Sequence, residues 1–181
     1  MLLKRLCAIW VGVMAAIGLG QFTLAAFSGT ASRLSGFMGN PNAMGMMLVL
    51  GWFALQSCLF ELEGKNPLLK RLFHGVEFIT LAALALTLSI GAFGALGVGV
   101  IAMHIHGKER VSALICRGAE IIFAGGCGIL LYVAGDYTDW PWLCLIICGY
   151  ILINAWYREM FKGYLAKRKW IRGLICLAGV C

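Results

Sequence analysis

The stretch "LFHGVEFITLAALALTLSIGAFGALGVGVIAM", residues 72–103, decides the fold. A membrane-crossing helix needs about 20 apolar residues, so this region is too long for one comfortable crossing and barely long enough for two. Charge separates the two readings. If the region is one helix, the nine basic residues after it fall on the opposite side from those before it. If it is two helices turning near "SIGAFG", fourteen of the fifteen basic residues share one side. Cytoplasmic loops concentrate lysine and arginine, so the sequence predicts two helices here.

The rest of the chain agrees with that reading. Of 181 residues, 61% are hydrophobic and 13% charged, with a mean hydropathy of +0.89. Such a composition cannot supply the polar shell of a soluble domain. The expectation is an all-α, polytopic integral membrane protein, a single transmembrane domain over 1–181. Six spans are predicted, at about 6–27, 43–60, 72–89, 91–106, 111–135 and 142–157, with both termini cytoplasmic. Residues 173–181, "LICLAGVC", read as the start of a seventh span, so the chain is expected to be a fragment or a short form.

The net charge of +7 comes from short basic clusters between apolar blocks, which marks membrane topology and excludes nucleic acid as a partner. Eight cysteines lie within apolar blocks or beside basic loops and read as free thiols rather than a disulfide framework. Cys144 and Cys148 lack histidine or acidic neighbours, so no metal site is expected there. In the first span Gly12, Ala16 and Gly20 recur at four-residue spacing, a pattern of helix packing.

One basic residue stands apart. Arg33 opens the polar, turn-rich stretch "RLSGFMGNPNAMG", residues 33–45, on the predicted outer side. Gly36, Gly39, Asn40, Pro41 and Asn42 can build a capped turn before the second span. Arg33 adds a permanently charged, planar fork suited to phosphate oxygens, and no packing role is expected of it. The residues alone leave the capped turn and the phosphate contact equally open.

Other candidates have plainer readings. In "TLSIGAFG", residues 87–94, two hydroxyls and two glycines suit a tight helix reversal. Glu77 has no evident partner and reads as a snorkelling or pathway residue, and Glu120 pairs with Arg117 at i, i+3. The "AGGCG" run at 124–128 reads as helix packing. His74, His104 and His106 fall at one predicted depth, where facing helices could ligate haem or simply border the basic loops.

The first loop resembles the signature of the bacterial O-antigen ligase and O-antigen polymerase family. That signature has an arginine, a glycine three residues later, and Asn-Pro-Asn leading into an apolar helix, matched by Arg33, Gly36, Asn40, Pro41 and Asn42. The family's downstream Thr-x-Ser-Arg-Gly element is similar to Thr87, Ser89 and Gly91, with Ile90 in place of the arginine. The resemblance covers about 33–101. It implies an inner-membrane, lipopolysaccharide-biosynthesis glycosyltransferase that takes glycan from an undecaprenyl-diphosphate carrier on the periplasmic face, without cofactor or metal. Arg33, Gly36, Asn40, Pro41, Asn42, Thr87 and Ser89 would line the substrate site, with Arg33 on the diphosphate. The implied partners are lipid-linked glycan and membrane lipid. Ile90 and the lack of the family's large outer histidine loop imply that this chain alone is inactive. The alternatives are a non-catalytic relative that binds lipid-linked glycan or joins a partner subunit or oligomer, and an unrelated membrane subunit, in one version haem-binding.

Overall fold

The computed structural model describes residues 2–30, 32–62, 67–107 and 111–134. These form five α-helices and no strand: α1 Leu2–Phe27, α2 Pro41–Glu61, α3 Pro67–Thr87, α4 Ile90–Gly107 and α5 Val111–Ala134. A single turn of 3-10 helix, Gly36–Met38, lies between α1 and α2. The all-α class is as expected. The 72–103 region is broken in two, with only Leu88 and Ser89 between α3 and α4. The predicted spans at 142–157 and 173–181 lie outside the described residues.

Packing pairs fix the helix directions. Gly18 of α1 lies against Met44 of α2 and Gly51 of α2 against Val11 of α1, so these two run antiparallel. Gln56 meets Glu77 while Gly45 meets Thr87, which makes α2 and α3 antiparallel as well. Gly45 also lies against Ala92, and Gly99 against Phe53, so α2 and α4 are parallel. Phe78 and Phe123 sit with ring centroids 6.2 Å apart, and Gly128 packs on Ala82 and Ala85, so α3 and α5 are parallel. The chain therefore alternates up and down. One end of the bundle carries the α1–α2 loop and the α3–α4 joint, and the other carries the starts of α1, α3 and α5.

Charge follows this geometry. Lys4, Arg5, Lys70, Arg71 and Arg117 all belong to the helix starts at one end, where Lys4 also pairs with Glu61 at 3.4 Å. Arg33 is the one described basic residue at the other end.

The bundle has an apolar interior that also holds several polar side chains, and large apolar side chains lie on its outside. Gln56, Glu77, Thr80, Thr87 and Ser89 are buried, whereas Leu24, Phe60, Ile90, Val98 and Ile122 face outward with more than two-thirds of their surface exposed. Two helices, α1 over Lys4–Ala26 and α2, are long and apolar enough to cross a membrane. The apolar stretches of α4 and α5, Ile90–His106 and Glu120–Val133, are shorter.

Small residues permit the close contacts, but not the ones the sequence pattern selects. The face of α1 that packs inward carries Ala8, Val11, Ala15, Gly18 and Phe22, whereas Ala16 and Gly20 are exposed. Of the predicted stripe only Gly12 meets a neighbour, Val76 of α3. At Gly128 a Cβ would collide with the Ala82 carbonyl oxygen, which belongs to the helix backbone and cannot turn aside. Gly125, one turn away, faces open space. Gly128→Ala should therefore cost about 1–3 kcal/mol through overpacking. Gly125→Ala should be neutral or stabilising by up to about 1 kcal/mol. Thermal unfolding of the two variants in one detergent distinguishes them; equal melting temperatures would mean that α3 and α5 do not pack at Gly128.

Candidate functional site

The site begins where α1 stops. Gly29 takes a left-handed φ of 67°, and the Thr30 N–H reaches back to the Ala25 carbonyl at 2.9 Å, closing the helix in a Schellman-type turn. The chain then runs across the bundle end. Leu34, only 3% exposed, anchors it among α1 and α2 side chains, and its N–H donates to the Leu86 carbonyl at 3.0 Å. Gly36, at φ 51°, lies so close to Met44 that a Cβ would sit 3.1 Å from its Sδ and Cε. Both the backbone angle and the space call for glycine here.

The capped turn read from the sequence is present. Asn40 is the N-cap of α2, its Oδ1 accepting from the N–H groups of Asn42 at 2.9 Å and Ala43 at 3.4 Å, with Pro41 in the first turn. These two residues are accounted for by helix initiation.

Arg33 is not free in its loop. Its Nε donates to the Thr87 carbonyl at 2.9 Å, and its Nη2 donates to the Leu88 carbonyl at 3.0 Å and the Asn42 Oδ1 at 3.4 Å. Helices leave their last carbonyls unpaired, and cations are favoured there. The expectation that Arg33 lacks a structural role is therefore corrected: it caps the C-terminus of α3 from 54 residues away. Its Nη1 donates to no described residue.

Thr87 and Ser89 complete the joint from within. Thr87 Oγ1 donates to the Leu84 carbonyl at 2.7 Å and accepts from the Ser89 N–H at 3.3 Å. Ser89 Oγ accepts from the Ala92 N–H at 3.3 Å, which caps the start of α4. Between them Leu88 holds a φ of 48°, unusual for a residue with a side chain. Thr87 and Ser89 are fully buried, so they shape the site without lining it. The predicted residues thus divide: Arg33 and Asn42 are exposed at the site, while Gly36, Asn40, Pro41, Thr87 and Ser89 build its frame.

Beside Arg33 lies a cavity of about 140 Å³ between the end of α1 and residues 32–36, lined by Gln21, Phe22, Ala25, Ser32, Arg33 and Ser35 among others. Gln21 belongs to neither sequence motif and is revealed only by this geometry.

A second polar cluster was missed by sequence reading. Glu77, 4% exposed at the midpoint of α3, accepts from Gln56 Nε2 of α2 at 2.6 Å and lies 3.0 Å from His74 Nδ1. Its partners are on a neighbouring helix and one turn back, so burial in the bundle replaces the snorkelling explanation. His74 is engaged with Glu77 on α3. Among the described residues no group of three histidine, cysteine or acidic side chains could hold a metal ion.

Comparison with protein-family models, curated proteins and solved structures gave no match to this chain.

The capping role makes Arg33 a stability residue. Arg33→Ala should lower stability by about 1–2 kcal/mol, the value of charge-assisted hydrogen bonds at a partly exposed site. Arg33→Lys, unable to span both carbonyls, should recover only part of it. Thermal unfolding in detergent reads this; unchanged melting temperatures in both variants would show that the α3 terminus needs no cap.

Proposed function

We propose that this chain is an O-antigen-ligase-like protein of the bacterial inner membrane that binds glycan carried on undecaprenyl diphosphate at its periplasmic face. One observation carries the reading. The two stretches that resemble the family's motifs, remote in sequence, meet at the guanidinium of Arg33. In this reading Nη1 contacts the diphosphate, while Nε and Nη2 hold the fork in place against Thr87 and Leu88.

The proposed topology has six spans with both termini cytoplasmic. It is supported by the fourteen-to-one division of basic residues and by the outward-facing apolar side chains of the bundle. The end carrying Arg33 is then periplasmic. Phe37 and Met38, 63% and 44% exposed on the 3-10 turn, are placed to enter the outer lipid surface beside the site.

Glycan transfer from such a carrier breaks the bond between the sugar's anomeric carbon and the diphosphate. A bond from an acceptor hydroxyl to that carbon forms, and the hydroxyl proton passes to a base. The diphosphate leaves without metal assistance if its charge is stabilised, the role assigned to Arg33. Among the described residues the Arg33 end offers no carboxylate and no histidine to take the proton. We therefore assign binding of the lipid-linked glycan to this chain, with catalysis dependent on groups beyond the described site.

Two measurements test the reading. A probe cysteine at Ser35 should react with a membrane-impermeant reagent in intact cells, and one at Glu109 should not; the reverse result would overturn the topology. Purified protein in nanodiscs should bind undecaprenyl diphosphate yet fail to restore glycan attachment in a ligase-deficient strain. Arg33→Lys, shown to be folded, should bind about tenfold more weakly. Failure of the wild-type protein to bind the lipid would overturn the function proposed.

A further inference from the structure

Glu77 sits at the midpoint of α3, about 15 Å from either end, and is buried. Both of its carboxylate oxygens are engaged. Oε1 accepts from Gln56 Nε2 of α2 at 2.6 Å, and Oε2 lies 3.0 Å from Nδ1 of His74, one turn back on α3. Only the first of these contacts joins two helices. A glutamine at 77 would keep it, because a side-chain amide also accepts. A buried ion pair is, moreover, a poorer source of stability than apolar packing of the same volume. An acid with an imidazole beside it therefore supplies more than the joining of α2 to α3 requires. Ionisable residues inside a membrane bundle mark sites for protons, ions or polar substrates.

Charge balance narrows the choice. With one proton between them, on the imidazole or on the carboxyl, His74 and Glu77 are together neutral. With none they leave a net negative charge in the interior, and with two a net positive charge; either is costly there. The neighbouring helices preserve this balance. α2 presents the neutral Gln56, with the Cys58 thiol beyond it and Glu61 paired with Lys4 at the helix end. α1 meets α3 at Gly12 and Val76 and has no titratable side chain within a turn of that contact. α5, aligned by Phe78 and Phe123, brings Glu120 and Arg117 towards the level of His74, one charge of each sign. On α3 itself Lys70 and Arg71 precede His74 by a turn. A metal ion does not suit the cluster, where Gln56 turns an N–H towards the carboxylate. The ligand that fits is a single proton.

We infer that His74 and Glu77 form a proton-binding site inside the bundle, and that Gln56 passes its state to α2. His74 is the entrance. It keeps 22% of its side chain exposed against 5% for Glu77, and it lies one turn nearer the end that carries Lys70 and Arg71. The proton comes from water at that end, is held between Nδ1 and Oε2, and returns to water by the same path. A carboxylate that has lost its share of the proton draws harder on the Gln56 N–H, since hydrogen bonds to a full charge are the stronger ones. The state of the pair is thereby felt on α2. This site is separate from the Arg33 end and does not depend on what binds there.

The test is nuclear magnetic resonance of the full chain in nanodiscs, with isotope in the histidine rings and glutamine amides. The only glutamines are Gln21 and Gln56, and there are three histidines, so the signals are few. Spectra are taken from about pH 5 to about pH 8, the range in which histidine changes charge. The His74 ring signals should move with pH, and the Gln56 amide signals should shift with the same midpoint. Gln21, at the opposite end of α1 from Lys4, should not follow that midpoint. In Glu77→Gln, which keeps the size of the side chain, the Gln56 shift should be lost. A His74 ring that holds one state throughout, or a Gln56 amide indifferent to pH, would overturn the inference. Both are read on the wild-type chain, so they stand even where the variant fails to fold. A Gln56 shift that persists in a folded Glu77→Gln would overturn the part given to Glu77.

Discussion

The arrangement depends on one guanidinium meeting two backbone carbonyls. Helix α3 ends at Thr87 with unpaired carbonyls, and Leu88 turns the chain through a left-handed conformation before α4 begins. Non-glycine residues rarely hold that conformation, so the joint needs external support. Arg33 supplies it by bonding both Thr87 and Leu88, and the Leu34 N–H adds a third link one residue earlier on α3. The same contacts tie down the loop that leads to α2. A loop between α1 and α2 and a joint between α3 and α4 thereby become one rigid end, with the guanidinium at its surface.

Below that end the bundle is held by different means. Apolar side chains cover much of its outside, so burial of apolar surface from water is a weak guide to what holds the helices together if lipid surrounds them. Gly128 brings the α5 backbone against that of α3 at Ala82, while Gly45, Gly51 and Gly99 make room for side chains of neighbouring helices, Val11 at Gly51 and Phe53 at Gly99 among them. Gln56, Glu77 and His74 add a buried hydrogen-bonded link between α2 and α3. An unpaired carboxylate there would be costly, so this link also fixes which faces of the two helices meet. The position of α3, and with it the joint that Arg33 caps, follows from that choice.

Parts of this were legible in the sequence for clear physical reasons. Charge bias placed the break in residues 72–103, because a single long helix would scatter the basic loops. Asn40 and Pro41 announced the start of α2, since capping is a local interaction. The bonds of Arg33 were hidden because their acceptors are main-chain carbonyls, which no residue pattern displays. The four-residue spacing of Gly12, Ala16 and Gly20 suggested a packing face, yet spacing alone cannot say which stripe of an all-apolar helix turns inward. Glu77 was read as close to a helix end because Lys70 and Arg71 were assigned to a loop. In the structure α3 begins at Pro67, which includes both and puts Glu77 at its midpoint.

The central claim is that Arg33 and Leu34 join the first loop to the end of α3. Amide hydrogen exchange at Leu34, in protein held in nanodiscs, tests this most directly. The Leu34 N–H, bonded to the Leu86 carbonyl, should exchange as slowly as amides within α2, and in Arg33→Ala it should exchange much faster. Leu34 exchanging in the wild-type protein as fast as an unstructured loop amide would contradict the claim, and with it the frame on which the binding site is built.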